Sequence, residues 1–130
     1  MLFLSVAMDA PLRVLAVDNE PSVTLSLQFV FTAPRYEVTC VASGAAALAR
    51  LDDKSKGYDV MIVDQKMPHL TGAELVRALR DRGNNGKIIV VSALLSSEIR
   101  ETFKRMDVHD MFSKPFNVEE LRSAVDRLAA

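Results

Sequence analysis

Short apolar runs alternate along this chain with longer segments in which apolar residues recur every three or four positions. An apolar run of four to eight residues that is rich in β-branched side chains is typical of a strand buried on both faces. Such runs predict five strands, over residues 12–17, 36–41, 59–63, 87–91 and 108–112.

The segments between these strands carry signals for helix starts. Pro21 suits the first turn of a helix, where its missing N–H costs no hydrogen bond. Ser43 is a good N-cap, and Asn117 with Glu120 three residues later resembles a capping box. We therefore expect helices that bury Val23, Leu27 and Val30; the Ala-rich stretch to about residue 51; Leu75, Ala78 and Leu79 after Thr71 and Gly72; Ile99, Phe103 and Met106; and Val118, Leu121, Val125 and Leu128.

Strands of continuous apolar character, separated by helices, predict a parallel sheet that is covered on both faces. Residues 12–130 are therefore expected to form a single doubly wound α/β domain with five strands. The preceding residues 1–11 are largely apolar, but they lack the basic region and cleavage site of a signal peptide and are too short to span a membrane. We interpret them as a flexible N-terminal extension.

Composition limits the functions that this domain could have. Lys and Arg total 16 against 17 Asp and Glu, and this balance gives no support to nucleic-acid binding by a basic face. Cys40 is the only cysteine, so no intrachain disulfide can form, and a reducing cytoplasm is the expected compartment. The apolar run around Cys40 predicts a small core residue. His69 and His109 lack the spacing of metal ligands and are expected at the surface or in loops.

Four polar residues stand where predicted strands end. Asp18 follows the first strand, Asp64 the third, Ser92 the fourth and Lys114 the fifth. In a doubly wound sheet the functional crevice lies outside the carboxyl ends of the strands, so these side chains are expected to meet there. Carboxylates suit Mg²⁺, a lysine and a hydroxyl suit the oxygens of a phosphoryl group, and a carboxylate can itself attack phosphorus.

These strand ends carry four short motifs, which read "VLAVDNEP", "IVDQKMPHLTG", "VVSA" and "FSKPF". Because the four motifs occur in this order, the chain resembles the receiver domain of two-component response regulators, the CheY-like family. The resemblance extends over about residues 12–129. The resemblance implies a flavodoxin-like fold with helices on both faces of the sheet. It also implies a phosphoacceptor that catalyses its own phosphoryl transfer and slow dephosphorylation, rather than an enzyme with a separate substrate.

The resemblance assigns a role to each residue of the strand-end group. Asp64 is the implied phosphoacceptor, and Asp18 belongs to the acidic pair that binds Mg²⁺. Ser92 is the hydroxyl that contacts the phosphoryl group, and Lys114 is the lysine that reads its charge. Lys66 is expected to offer its backbone carbonyl to the metal. The peptide bond between Lys114 and Pro115 is expected to be cis.

Two positions depart from the family pattern. Asn19 stands where the family usually has a second acid that ligates the metal, and a neutral amide is a weaker ligand for Mg²⁺. Glu20 is a candidate to substitute for that acid. Met111 stands at a switch position where the family often has a Tyr or Phe that changes rotamer on phosphorylation, so this chain has a flexible Met there instead of an aromatic ring.

Two functions remain open at this point. The first is a phosphorylatable receiver that takes its phosphoryl group from a sensor histidine kinase or a phosphotransfer protein. The second is a pseudo-receiver, a protein-binding module in which Asn19 has weakened or abolished phosphorylation. A hydrolase or dinucleotide binder on a similar fold is disfavoured, because Lys66 replaces the second acid of dehalogenase-type phosphatases and "DNEPSV" contains no glycine.

The expected output route follows from the same resemblance. A downstream protein or an output domain is expected to bind the fourth helix, the fifth strand and the last helix. Direct binding of nucleic acid or of a membrane by this domain is not expected. The sequence leaves open whether the chain acts alone or is part of a larger regulator or hybrid kinase.

Overall fold

The computed structural model describes residues 10–53 and 57–130. Its strands and helices alternate in the order β1 Leu12–Val17, α1 Pro21–Val30, β2 Tyr36–Val41, α2 Gly44–Asp52, β3 Val60–Val63, α3 Gly72–Asp81, β4 Ile88–Ser92, α4 Ser97–Arg105, β5 Asp110–Ser113 and α5 Val118–Ala129. Of the predicted N-terminal extension, residues 1–9 lie outside the described residues.

The strands form one sheet in the order β2-β1-β3-β4-β5, and every neighbouring pair is parallel. The strand order reverses between β1 and β3, where Val17 lies opposite Val63. This pair is the topological switch point, and its carboxyl edge is where such sheets hold their functional site. The predicted doubly wound, flavodoxin-like fold is confirmed.

Each face of the sheet is covered by its own hydrophobic core. Successive side chains of a strand point to opposite faces, so Val14 and Ala16 belong to one core and Leu15 and Val17 to the other. The first core packs against α1 and α5, and the second packs against α2, α3 and α4. Burial on both faces explains why these strands are continuously apolar in sequence.

Helix starts agree with the sequence signals. Pro21 occupies the first turn of α1. The Ser43 hydroxyl accepts from the Ala46 N–H at 3.1 Å, and the Asn117 side chain accepts from the Glu120 N–H at 3.0 Å. Cys40 is half-buried against the first core, as expected. Within the two described ranges, no helix is long and apolar enough to cross a bilayer.

A few predicted boundaries and one core position are wrong. The strands β3, β4 and β5 each begin one or two residues later than predicted. Val108, for example, donates its N–H back to the Phe103 carbonyl and so closes the end of α4 instead of starting β5. Val118 was expected in the core, but it is 39% exposed. It lies in the first turn of α5, and the buried residues of this helix begin only at Leu121.

Candidate functional site

The carboxyl edge of the sheet brings the predicted polar residues together. Asp18, Asp64 and Ser92 are the polar side chains that are buried among the described residues, with 4%, 2% and 0% of their surface exposed. Asp18 and Asp64 directly follow the neighbouring strands β1 and β3, and the Asp64 N–H still donates to the Val17 carbonyl at 2.9 Å. The fold therefore holds two largely buried carboxylates side by side.

Lys114 inserts its ammonium group among these acids. Its Nζ lies 2.8 Å from Asp18 Oδ2, 3.0 Å from Glu20 Oε1 and 3.4 Å from Asp64 Oδ2. Only 11% of the lysine side chain is exposed. A buried charge is costly unless it is paired with an opposite charge. Lys114 provides that opposite charge and so offsets part of the repulsion among the three carboxylates.

Burial and electrostatic attraction have opposite effects on the pKa values of Asp18 and Lys114. Burial raises the pKa of the Asp18 carboxyl, although hydrogen bonds from Lys114 and from the Glu20 N–H act in the opposite direction. Burial by itself lowers the pKa of Lys114, but its hydrogen bonds to Asp18 and Glu20 and the charge of Asp64 outweigh that effect, so the pKa is raised. Lys114 therefore stays protonated at neutral pH.

The loop after Asp64 is fixed by contacts that mostly escaped the sequence analysis. The Gln65 side chain accepts from the Ala73 N–H at 2.8 Å, and the Gly72 N–H donates to the Gln65 carbonyl at 3.0 Å. Thr71 and Glu74 form a full capping box at the start of α3, a pattern visible in the sequence as T-x-x-E. Together these bonds hold Asp64 against the first turn of α3.

Gly72 is needed because this approach leaves no room for a side chain. A Cβ atom on Gly72 would overlap the carbonyl oxygen of Asp64 and would lie 2.9 Å from the Cα of Gln65. We expect Gly72→Ala to lower the free energy of unfolding by about 2 kcal/mol, because backbone has to shift. Gly57→Ala is the matched control, since nothing lies within 4 Å of its Cβ. Urea unfolding measures both, and an equal effect of the two substitutions would contradict this role of Gly72.

Ser92 is the last residue of β4 and lies opposite Ser113 of β5. Its hydroxyl accepts from the Leu94 N–H at 3.2 Å, and its carbonyl accepts from the Lys114 N–H at 3.0 Å. Ser92 thus contacts both the loop that leads into α4 and the lysine of the site.

The acidic group has the donor set that a divalent cation requires. One carboxylate oxygen each of Asp18, Glu20 and Asp64 lie within 4.8 Å of one another. Asp64 Oδ2 is buried and, despite the nearby Lys114 Nζ, makes no hydrogen bond of acceptable geometry. Hard oxygen ligands with net negative charge suit Mg²⁺ better than a softer metal. The residues present therefore fit the predicted cofactor.

The remaining predicted residues lie around this group. Asn19 and Glu20 line an open cleft of about 540 Å³ together with Lys66, Met67 and Pro68 of the loop after Asp64. The Lys66 N–H lies 3.4 Å from Asp64 Oδ1. The bond between Lys114 and Pro115 is cis, as expected, and the bond between Ala33 and Pro34 is also cis.

Three further predicted positions lie outside the acidic group. Met111 is partly buried and packs against the core formed with α2, α3 and α4. His69 is an exposed loop residue. His109 is also exposed, and its Nδ1 accepts from the Ile88 N–H at 3.2 Å.

Comparison with known proteins gives one consistent answer. The family model described as the response regulator receiver domain matches residues 14–126. Response regulator RppA of Synechocystis is 31% identical over 110 residues, which cover 85% of this chain and 47% of that protein. Sporulation initiation phosphotransferase F of Bacillus subtilis is 25% identical over 115 residues, which cover 88% and 91%. The structure of Vibrio cholerae chemotaxis protein CheY4 is 31% identical in sequence and superposes with a TM-score of 0.81. The match covers 92% of this chain and 99% of the CheY4 chain.

The extent of these matches defines what is shared. The chain spans about half the length of RppA and, similarly, 43% of transcriptional regulatory protein TrcR of Mycobacterium tuberculosis. The matched residues cover 85% of this chain in the comparison with RppA and 86% in the comparison with TrcR. Sheet order, strand-end residues and the matched range agree, and the chain belongs to the response regulator receiver domain family.

Proposed function

We propose that this receiver accepts a phosphoryl group on Asp64, with Mg²⁺ as cofactor. One observation supports this above all: a buried oxygen of Asp64 lacks a hydrogen-bond donor although Lys114 and a cluster of carboxylates surround it. An unpaired buried oxygen is costly for a residue that only supports the fold. It is suited to a nucleophile that must attack an incoming group.

In the proposed reaction an Asp64 carboxylate oxygen attacks phosphorus. The new O–P bond forms as the bond from phosphorus to the donor breaks, and the leaving group keeps the electron pair of that bond. Lys114, already held beside Asp64, contributes positive charge to the phosphoryl oxygens, and the Ser92 hydroxyl donates a hydrogen bond to one of them. Asp18, Asp64 and the Lys66 carbonyl would hold Mg²⁺, with Asn19 or Glu20 alongside, and the bound ion would supply further neutralisation of charge.

The proposed donor is a sensor histidine kinase or a phosphotransfer protein. Supporting this, α1 begins directly after Glu20 and contains no charged residue, and it exposes Leu25 by 54% and Phe29 by 76%. An uncharged apolar face beside the acceptor is the kind of surface that a protein donor would cover. We propose the cytoplasm as the compartment, residues 12–130 as the receiver and residues 1–11 as an extension. The proposed output surface is α4, β5 and α5.

Incubation with acetyl phosphate, with and without Mg²⁺, followed by intact-mass measurement, tests this function. We expect a gain of about 80 Da, the mass of one phosphoryl group, that depends on the metal. An unchanged mass under saturating donor and Mg²⁺ would instead favour the second candidate.

That second candidate is a pseudo-receiver that binds proteins without efficient phosphorylation. The observation in its favour is Asn19, a neutral and exposed residue next to Asp18 where the family usually places an acid. Glu20 lies in the cluster, but its carboxylate is already engaged with Lys114 at 3.0 Å. The balance between the two candidates therefore depends on how strongly this set of ligands holds Mg²⁺.

We expect Asn19→Asp to tighten Mg²⁺ binding about tenfold, equivalent to roughly 1.4 kcal/mol. A fourth carboxylate adds repulsion to the three already present, but the gain from a charged oxygen ligand outweighs this repulsion because Mg²⁺ gives up its waters reluctantly. Isothermal titration with MgCl₂ measures the change. Asn85→Asp, in the exposed loop before β4, adds the same charge away from the site and serves as control. Equal affinity in the two variants would mean that Asn19 is no deficit, and the main argument for a pseudo-receiver would disappear.

A further inference from the structure

Arg100, in the first turns of α4, bridges two segments that leave the site from different strands. Its Nε donates to the Leu95 carbonyl at 3.2 Å, and its Nη2 donates to the Ser113 hydroxyl at 3.3 Å. Leu95 belongs to the loop after β4, and Ser113 is the last residue of β5. Among residues 10–53 and 57–130, the bond from Arg100 to Ser113 is the side-chain hydrogen bond that joins α4 to β5.

Both ends of this bridge lead back to Ser92. On one side, Leu95 follows Leu94, whose N–H donates to the Ser92 hydroxyl at 3.2 Å. On the other side, Ser113 precedes Lys114, whose N–H donates to the Ser92 carbonyl at 3.0 Å. The hydrogen bonds and the intervening chain therefore form a closed circuit from Ser92 through Arg100 and back.

We propose that Arg100 is a positioning residue that couples Ser92 and Lys114 to α4, and this proposal rests on the proposed phosphorylation of Asp64. A move of the Ser92 hydroxyl towards a phosphoryl oxygen lengthens its bond to the Leu94 N–H. The loop after β4 then has to shift, and it takes the Leu95 carbonyl with it. Because one rigid guanidinium holds this carbonyl and Ser113 together, the first turns of α4 follow the loop.

Met111 makes this bridge more important in this chain. Its side chain has three rotatable bonds and adapts to its surroundings, so it transmits a small displacement poorly. The planar guanidinium has fixed donor directions and loses little freedom when it binds two acceptors. Arg100 thus links α4 to β5 through hydrogen bonds of fixed direction, whereas Met111 of the same strand makes only adaptable packing contacts.

Amide NMR with beryllofluoride and Mg²⁺, which mimic a phosphoryl group on a carboxylate, tests the coupling in the full chain. In the wild type we expect shifts at residues 64–66 and 92–94 and also along α4. In Arg100→Met the shifts at the site remain, while those along α4 fall about threefold or more. Ser113→Ala removes the same bond from the other side with a smaller change of volume, and we expect it to act in the same way.

Arg105→Met is the matched control, because Arg105 is 78% exposed and its ion pair with Glu101 spans 3.9 Å within the same helix. It should leave the shifts along α4 unchanged. Full-size shifts along α4 in both Arg100→Met and Ser113→Ala would overturn the coupling and leave Arg100 a purely structural residue. Absence of shifts at residues 64–66 in the wild type would instead overturn the proposed function, and the coupling with it.

Discussion

We expect the Asp64→Asn variant to keep its unmodified mass in acetyl phosphate and Mg²⁺, under conditions in which the wild-type chain gains about 80 Da. An amide nitrogen or oxygen is a far weaker nucleophile than a carboxylate, so labelling should be abolished rather than slowed. The effect is specific to this residue because the other buried acid, Asp18, is already hydrogen-bonded by Lys114 and by the Glu20 N–H.

The fold of Asp64→Asn should survive, and its melting temperature should be equal to that of the wild type or higher. Asp64 contributes repulsion to Asp18, as its effect in raising the pKa of Asp18 shows, and an amide removes that repulsion. Asp81→Asn, at the exposed end of α3, is the control and should label like the wild type. Persistent labelling of Asp64→Asn would show that another residue accepts the phosphoryl group.

The sequence predicted this fold well because its strongest signal is local. Runs such as residues 60–63 are apolar on both faces, and only a sheet covered on both sides can bury them. Four of the five runs end in a polar residue, and parallel strands place their carboxyl ends at one edge of the sheet. For Asp18, Asp64 and Ser92, the position could therefore be predicted without any knowledge of side-chain contacts.

The contacts within the site could not be predicted in this way. The ion pair between Lys114 and Glu20 joins residues 94 positions apart, and its geometry depends on the rotamers of two long side chains. The bridge made by Arg100 has the same origin, since a charged residue in an amphipathic helix looks like an ordinary surface position. Val118 fits the helical spacing of the core but lies in the first turn of α5, and spacing alone does not distinguish the first turn from the next.

The second large effect concerns Lys114, whose ammonium group lies where the acids would hold a cation. We expect Lys114→Met to lower the free energy of unfolding in EDTA by on the order of 3 kcal/mol. Methionine keeps much of the apolar stem of lysine, so the loss comes from charge rather than from packing. Removing the ammonium leaves Asp18 and Asp64 buried, close together and without a counter-charge.

Urea unfolding in EDTA measures this loss, and Lys104→Met is the control, because Lys104 is an exposed residue of α4. The control should change the free energy of unfolding by no more than about 0.5 kcal/mol. A loss of similar size in both variants would mean that the Lys114 ion pairs contribute no more than a surface charge.

Millimolar Mg²⁺ should then restore much of the stability of Lys114→Met. A cation that binds only the folded protein stabilises it by an amount that grows with its affinity, and the affinity should rise once no ammonium group repels the metal. The wild type should gain less from the same Mg²⁺, because its acids are already partly neutralised by Lys114. The two curves therefore separate two roles of the same lysine, as a counter-charge without metal and as a competitor of the metal. An equal gain in both proteins would show that Mg²⁺ does not bind among Asp18, Glu20 and Asp64, and that the acidic cluster serves only to hold Lys114.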